Sequence, residues 1–282
     1  MKQFKLSKDI FNNTAGLSCL ENYLLYALIA ENYPYPYLYY KSYLSLPEII
    51  ASFLHGNKYK SFYTIRRLQQ IAADHNFIQV YRYDRRDPAC FDFHDFNCIM
   101  VRPEYVQERY GISLLRDDHY MLLCPTENAG EYACINDCPR DIGVIRLSEL
   151  ARISTGKMFC FDILRPPNKE QNEAFLKDLY HSINLEKTAQ IDFSQIDIVT
   201  ARDILGIYKV VSRRLRDFCS LYMSMDFYRS HLEWIERQYM MLEYMRLLGE
   251  KDSYRIQPLL AQLCSESNQT ISILKSKMEE IL

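Results

Sequence analysis

The chain has 282 residues, 48% of them hydrophobic and 25% charged, a balance typical of a globular protein with a sizeable core. With 34 basic and 36 acidic residues the formal charge is −2, so no global field favours nucleic acid or an anionic membrane. Glycine is scarce: there are 8, and no two lie closer than thirteen residues. This excludes the G-x-G-x-x-G and P-loop phosphate motifs and the G-x-S-x-G nucleophile elbow. The composition therefore argues against common nucleotide-binding enzymes and the usual serine hydrolases.

The compartment is indicated by the N-terminal sequence and by the cysteines. The start, MKQFKLSKDIF, lacks the apolar core of a signal peptide, and no stretch approaches the roughly 18 apolar residues of a membrane-spanning helix. Nine cysteines are an odd count, and without an export signal they are expected to be reduced thiols. We expect a cytoplasmic protein with no membrane partner, no nucleic-acid partner and no cofactor.

The first half of the sequence mixes helical and extended patterns. Apolar residues at helical spacing predict a helix over 19–31, with Ser18 as the N-cap and Glu21 completing an S-x-x-E box. The run YPYPYLYY at 33–40 then ends it, because proline does not continue a helix. Further patterns predict helices at 47–55 and 61–75, strands at 77–83, 96–101, 119–124, 131–136, 143–147 and 158–164, and a hairpin turn at 127–130.

The second half is helical in pattern, over 169–185, 199–248 and 256–282. Apolar residues spaced alternately four and three apart form a heptad-like seam: Ile204, Tyr208, Val211, Leu215, Phe218, Tyr222 and Met225, resuming at Leu232, Ile235, Tyr239 and Leu242. Such a stripe favours a helix packed on its own domain, and a homodimer through the C-terminal helices is the alternative. The sequence therefore predicts an α+β domain over 1–167 and a helical region over 168–282.

Cys19 is a candidate nucleophile, because it stands where a turn ends and an apolar helix begins. The positive end of the helix dipole lowers the pKa of a thiol, and the unpaired N–H groups there can hold an oxyanion. Taken alone, a cysteine in this position is more often part of the core. Its chemistry therefore depends on what other side chains meet it.

His119 opens the predicted strand 119–124, and Asn136 and Asp137 end the strand that follows the hairpin. The start of one hairpin strand lies beside the end of the next, so we expect His119 next to Asn136 or Asp137. A carboxylate or amide beside an imidazole orients the ring and selects its tautomer. The alternative is a strand-end histidine bonded to a loop.

Six short motifs carry a family resemblance: SCLENYLL (18–25), CIMVRPEYV (98–106), DHYMLL (118–123), NAGEY (128–132), CINDCP (134–139) and IRLSEL (145–150). Their order, with cysteine on a first helix, histidine opening a strand and Asn-Asp ending the next, resembles the papain-like cysteine fold. It is similar to the bacteriocin-processing leader peptidases and to the N-terminal domain of the butirosin biosynthesis protein H family. Where that pattern has N-D-P this chain has N-D-C-P, with Cys138 inserted.

The resemblance implies an α+β, papain-like acyltransferase of antibiotic or peptide metabolism. An acyl group would pass from the phosphopantetheine thioester of an acyl or peptidyl carrier protein to the cysteine, and then to an amine acceptor. Cys19 would be the nucleophile, His119 the general base and acid, and Asp137 the group that orients the imidazole. Asn136 is a second orienting candidate and Asn13 the oxyanion-hole candidate. The alternatives are a papain-like peptidase or amidase, with water as acceptor, and a non-catalytic partner-binding protein of the same fold.

Metal binding is the rival use of cysteine, with soft ligands available at Cys90, His94, Cys98, Cys134 and Cys138. Their spacing lacks the C-x2-C pairs of structural zinc sites, and two of them fall in predicted strands. We therefore expect no metal.

Two further segments are candidate binding surfaces. The basic cluster Arg82, Arg85 and Arg86 suits a phosphate such as that of a phosphopantetheine arm, and a solvated strand end is the alternative. The tyrosine-rich run 33–43 is expected to form one wall of the substrate cleft, because tyrosine combines an apolar body with a polar tip. A loop packed on the core is the alternative for this run.

Overall fold

A computed structural model describes residues 16–55, 67–84, 87, 91–94, 96–112, 119–183, 191–250 and 255–282. Its helices, in chain order, are α1 (Cys19–Ala30), α2 (Leu46–His55), α3 (Leu68–Asp74), α4 (Pro103–Tyr110), α5 (Leu147–Ile153), α6 (Lys169–Ser182), α7 (Ile198–Cys219), α8 (Asp226–Leu247) and α9 (Ile256–Glu279). Short 3-10 helices span Tyr35–Lys41 and Phe193–Gln195. Among the described residues, no helix combines the length and the apolar character needed to cross a membrane.

The six strands are β1 (Ile78–Tyr83), β2 (Phe96–Val101), β3 (Tyr120–Pro125), β4 (Glu131–Asp137), β5 (Arg140–Arg146) and β6 (Ser154–Ile163). They form one antiparallel sheet in the order β1-β6-β2-β3-β4-β5. β3 and β4 are joined through the predicted turn at 127–130, with Leu122 opposite Ile135. The first residues of β3 therefore lie beside the last residues of β4. Helices and an antiparallel sheet together confirm the α+β class.

The chain divides into two compact units. The described residues of the first unit lie within 1–35 and 68–166, and they form α1, α3, α4, α5 and the whole sheet. Those of the second unit lie within 36–67 and 167–282, and they form α2 and α6 to α9. The described residues 36–55 thus belong with the helical unit, although they precede the sheet in the sequence.

In the first unit α1 packs on β2, β3 and β4. Its middle is fully buried, in keeping with the apolar run that predicts it: Tyr23, Leu24, Leu25, Tyr26, Ala27 and Leu28. A second group of buried side chains joins the strands to α4 and α5, and it includes Ile99, Val106, Met121, Leu123, Cys134 and Leu150. β2 is buried along its whole length, including the polar Asn97 near its start.

Two short helices of this unit are absent from the sequence prediction. α4 has Pro103 at its first position and ends at Gly111, whose φ of 68° suits a glycine that terminates a helix. α5 begins at Leu147, inside the segment 143–147 that the pattern predicts as strand. The carboxylate of Glu149 accepts a hydrogen bond from the backbone N–H of Arg146 at 2.9 Å, which caps this helix.

In the second unit the heptad-like seam is buried on α7, at Ile204, Tyr208, Val211, Leu215 and Phe218. Two ion pairs, Arg202 with Glu243 at 3.4 Å and Lys209 with Glu236 at 3.1 Å, show that α7 and α8 run antiparallel. The part of the stripe on α7 is therefore accounted for by packing within its own unit, and a homodimer through the C-terminal helices stays a prediction. The region 199–248, which is helical in pattern, forms two helices, because residues 220–225 turn the chain between α7 and α8.

Candidate active site

Cys19 is the first residue of α1, and its side chain is partly exposed. The Oγ of Ser18 accepts a hydrogen bond from the backbone N–H of Glu21 at 3.3 Å, which confirms the predicted N-cap. The other N–H groups of a first helical turn favour negative charge beside them. The position therefore suits a nucleophilic thiolate and the oxyanion that it would generate.

The turn before the cysteine is held by the carboxylate of Glu21, which is 3% exposed. Its Oε2 accepts from the backbone N–H of Leu17 at 2.7 Å, and its Oε1 accepts from the backbone N–H of Leu68 at 3.1 Å. A buried carboxylate is tolerated because its oxygens are hydrogen-bonded. The backbone N–H of Gly16 also donates to the Oδ1 of Asn22 at 3.1 Å, and a Cβ on residue 16 would lie only 2.1 Å from that oxygen. That Cβ would also lie 2.8 Å from the backbone nitrogen of Asn22, so a larger residue here would displace the turn.

His119 and Asn136 are in contact, as the hairpin predicts. His119 directly precedes β3, and its Nε2 lies 2.7 Å from the Oδ1 of Asn136. Asn136 is fully buried, and its Nδ2 donates to the backbone carbonyl of Pro139 at 2.8 Å. Because this bond uses the donor side of the amide, Oδ1 faces the ring as an acceptor and Nε2 carries the proton. Nδ1 is then the nitrogen that can accept a proton.

Asp137, the last residue of β4, is bound by α1. Its Oδ2 accepts from the Nδ2 of Asn22 at 2.8 Å, and its Oδ1 accepts from the hydroxyl of Tyr26 at 2.6 Å. The resemblance makes Asp137 the residue that orients the imidazole, whereas in the described part of the chain the Nε2–H of His119 donates to the Oδ1 of Asn136. The reason is that successive side chains of a strand point in opposite directions.

Tyr23 connects α1 with both strand ends. Its hydroxyl donates to the backbone carbonyl of Tyr120 at 2.6 Å and accepts from the backbone N–H of Asp137 at 3.2 Å. Burial raises the pKa of Tyr23 well above its ordinary value, and the neighbouring Cys19 and Asp137 raise this pKa further. The phenol of Tyr23 therefore keeps its proton and can both donate and accept a hydrogen bond.

The sequence prediction of the site omits Asn22, Tyr23 and Tyr26. These residues follow Cys19 by three, four and seven positions, so they share its face of α1. That spacing is a signal, but a tyrosine in an apolar helix is predicted as core, and Tyr23 and Tyr26 are indeed fully buried. Only their hydroxyl contacts show that they also belong to the site.

Asn13, the predicted oxyanion-hole amide, lies outside the described residues, and so does Cys90 of the rival metal set. The imidazole of His94 is engaged by other side chains: its Nδ1 lies 3.0 Å from the Oδ2 of Asp162, and its Nε2 lies 3.2 Å from the hydroxyl of Tyr83. Within the ranges that the structure describes, no group of three or more histidine, cysteine or acidic side chains is arranged to hold a metal.

The structure describes part of each of the two candidate binding surfaces. Arg82 is exposed at the end of β1, while Arg85 and Arg86 lie outside the described residues. In the tyrosine-rich run, Tyr39 and Tyr40 are buried, and the ring of Tyr40 stacks on Phe175 with centroids 4.4 Å apart. This part of the run contributes to the core of the second unit. Its role as a cleft wall stays a prediction.

The chemistry open to this arrangement follows from three groups. A thiol at a helix N-terminus is a nucleophile, an imidazole with a defined tautomer is a proton acceptor, and first-turn N–H groups stabilise an oxyanion. These are the groups that attack on an acyl carbon requires. No family model, no curated protein and no solved structure matches this chain.

Proposed function

We propose that the protein is a cysteine-dependent acyltransferase, which moves an acyl group from a carrier-protein thioester to an amine. The observation that carries the proposal is the 2.7 Å contact between the Nε2 of His119 and the Oδ1 of Asn136. This contact lies at the two strand ends that are hydrogen-bonded to Tyr23, on the same helix as Cys19. A cysteine that begins a helix and a histidine that begins a strand are what the papain-like resemblance implies, although the ring contacts Asn136 where the resemblance assigns Asp137. The thioester donor and the amine acceptor rest on the same resemblance.

In the first half-reaction the Nδ1 of His119 accepts the proton of the Cys19 thiol, and the thiolate attacks the carbonyl carbon of the thioester. The carbonyl oxygen becomes an oxyanion, which the first N–H groups of α1 stabilise. The bond from the carbonyl carbon to the pantetheine sulfur then breaks, and the imidazolium returns its proton to that sulfur. The products are acyl-Cys19 and the free carrier thiol.

In the second half-reaction an amine attacks the acyl carbon, and Nδ1 of His119 accepts a proton from the amine nitrogen. The bond from the acyl carbon to the Cys19 sulfur breaks, and the imidazolium protonates that sulfur. Asn136 stabilises one ring orientation through both half-reactions. This mechanism requires the Cys19 sulfur to approach within about 4 Å of Nδ1, a distance that often tightens only when substrate binds.

Intact mass spectrometry with a panel of acyl-carrier thioesters tests the proposal. We expect an acyl adduct on the wild-type protein, none on Cys19→Ala, and loading slowed by about 10²- to 10⁴-fold in His119→Ala, since that variant lacks the general base. Cys138→Ala is the matched control. Cys138 is an exposed thiol two positions after Asn136, and its removal should leave loading unchanged.

The acceptor is identified by adding amines to the loaded protein. Discharge that is faster with an amine than with water alone supports transfer. Rapid discharge by water alone, with no amide product, would make the protein a hydrolase. Absence of an adduct with every thioester tried would favour the partner-binding alternative.

A further inference from the structure

We propose that Tyr23 is a positioning residue, whose hydroxyl sets the spacing between the start of β3 and the end of β4 and so aligns His119 with the helix that carries Cys19. The inference rests on the proposed function only for the identity of the reacting groups. Tyr23 would act through the main chain, because its hydroxyl is hydrogen-bonded to backbone groups of the two strands.

Each main-chain group that the Tyr23 hydroxyl binds belongs to the residue that directly follows a site residue. The carbonyl that it binds at 2.6 Å belongs to Tyr120, which follows His119, and the N–H that it binds at 3.2 Å belongs to Asp137, which follows Asn136. The N–H of Asp137 lies in the planar peptide unit that begins at the carbonyl carbon of Asn136, so it is coupled directly to that residue. The carbonyl of Tyr120 is one residue further along the chain from His119, so holding it restrains the start of the strand that carries the imidazole. The hydroxyl therefore acts on both members of the His119–Asn136 pair.

The hydroxyl occupies the place where direct pairing of the two strands ends. Leu122 pairs with Ile135, and continuing the same register places Tyr120 opposite Asp137. There the Tyr23 hydroxyl connects the two main chains, by donating to one strand and accepting from the other. A phenylalanine ring would fill the same volume but would leave this carbonyl and this N–H without the bridge.

Two neighbours of Tyr23 hold the same strand end. Asn22 and Tyr26 donate to the two oxygens of Asp137 at 2.8 Å and 2.6 Å, and the rings of Tyr23 and Tyr26 pack edge to face with centroids 6.1 Å apart. Tyr23 and Tyr26 are fully buried, so water does not compete for the hydrogen bonds of their hydroxyl groups. Because Cys19 is part of the same helix, these bonds also restrain the thiol.

The test compares Tyr23→Phe with Tyr33→Phe in the full-length protein. Tyr33 is a matched control, since it is a buried tyrosine of the same unit whose hydroxyl also donates to a backbone carbonyl, that of Arg165 at 2.8 Å. The first readout is the rate of Cys19 alkylation by iodoacetamide as a function of pH. The second is nitrogen NMR of the His119 ring, which reports its tautomer.

In Tyr23→Phe we expect Cys19 alkylation at neutral pH to slow about tenfold or more, because small displacements of reacting groups reduce rates strongly. We also expect the His119 ring to lose its single Nε2–H form. Tyr33→Phe should change neither readout, although it loses a comparable hydrogen bond. Wild-type alkylation and a wild-type His119 spectrum in Tyr23→Phe, with only lower thermal stability, would show a structural residue and overturn the proposal.

A measurement on the wild-type protein covers the case in which Tyr23→Phe does not fold. The backbone N–H of Asp137 donates to the Tyr23 hydroxyl, so its hydrogen exchange should be slow in the native state. Fast exchange at this amide would contradict the bridge directly. None of these readouts uses an acyl donor, so failure of the protein to form an acyl adduct would refute the proposed function and leave this inference standing.

Discussion

The Nε2 of His119 lies 2.7 Å from the Oδ1 of Asn136, while the next residue, Asp137, is held by two side chains of α1. Asn136 and Asp137, adjacent polar residues at one strand end, therefore have different roles. The amide orients the imidazole, and the carboxylate anchors the helix of the candidate nucleophile.

Replacing Asn136 with alanine should slow Cys19 alkylation by about 10- to 100-fold, because the imidazole then rotates and exchanges tautomers. Asn136→Asp keeps an acceptor oxygen beside the ring and should be affected less. Asn128→Ala is the control, since Asn128 is an exposed turn residue of the same hairpin. The rates are measured by mass spectrometry of labelled peptides. Equal rates in Asn136→Ala and Asn128→Ala would refute the orienting role.

Asp137→Asn should lower the free energy of unfolding by about 1–3 kcal/mol, because two hydrogen bonds to a carboxylate become bonds to a neutral amide. Urea denaturation followed by circular dichroism measures the change. Asp84→Asn, at an exposed position after β1 in the same unit, should change the unfolding free energy by less than about 0.5 kcal/mol. A stability loss of the same size in both variants would show that Asp137 does not anchor α1.

Acid should destabilise the second unit through His231. Burial lowers the pKa of His231 to about 4, and its Nε2 lies 3.0 Å from the hydroxyl of Tyr208. An unfolded histidine takes up a proton below a pH of about 6.5, whereas the folded one does so only near 4, so protons favour the unfolded state between these values. The contribution is fully present above the upper value and is lost as the pH falls. At about 1.4 kcal/mol per pKa unit, it amounts to roughly 3 kcal/mol.

Thermal unfolding measured across this pH range tests the expectation. His231→Gln should be less pH-dependent than the wild-type protein, while His181→Gln, at an exposed position on α6, should follow the wild-type curve. Parallel curves for the wild-type protein and His231→Gln would mean that other groups account for the acid sensitivity.

Native labelling with iodoacetamide should divide the described cysteines into two classes. Cys19 should react first and the exposed Cys138 second, because only these two side chains are accessible among the described cysteines. Burial raises the pKa of the other thiols, for example those of Cys124 and Cys219 to about 12, and these should react only after unfolding. Peptide mapping identifies the labelled sites. If Cys138 reacts faster than Cys19, or if His119→Ala leaves Cys19 labelling unchanged, Cys19 is not an activated thiol.

The sequence by itself determined the local parts of this site. The helix that begins at Cys19 follows from its serine cap and its apolar run, and the strand 96–101 from its branched and aromatic residues. The turn at 127–130 joins two strands that are neighbours in the sequence, so the meeting of His119 with the 136–137 pair is encoded within some twenty residues. Each of these features depends on interactions that a short window of sequence contains.

Tertiary structure alone decided which member of that pair meets the imidazole. The choice depends on strand register, because a shift by one residue reverses the direction of every side chain in the strand. It also depends on the docking of α1, whose Asn22 and Tyr26 bind Asp137 across 115 and 111 positions of the chain. No local pattern carries contacts of such separation, because they form only when the packed core brings the helix and the strand ends together.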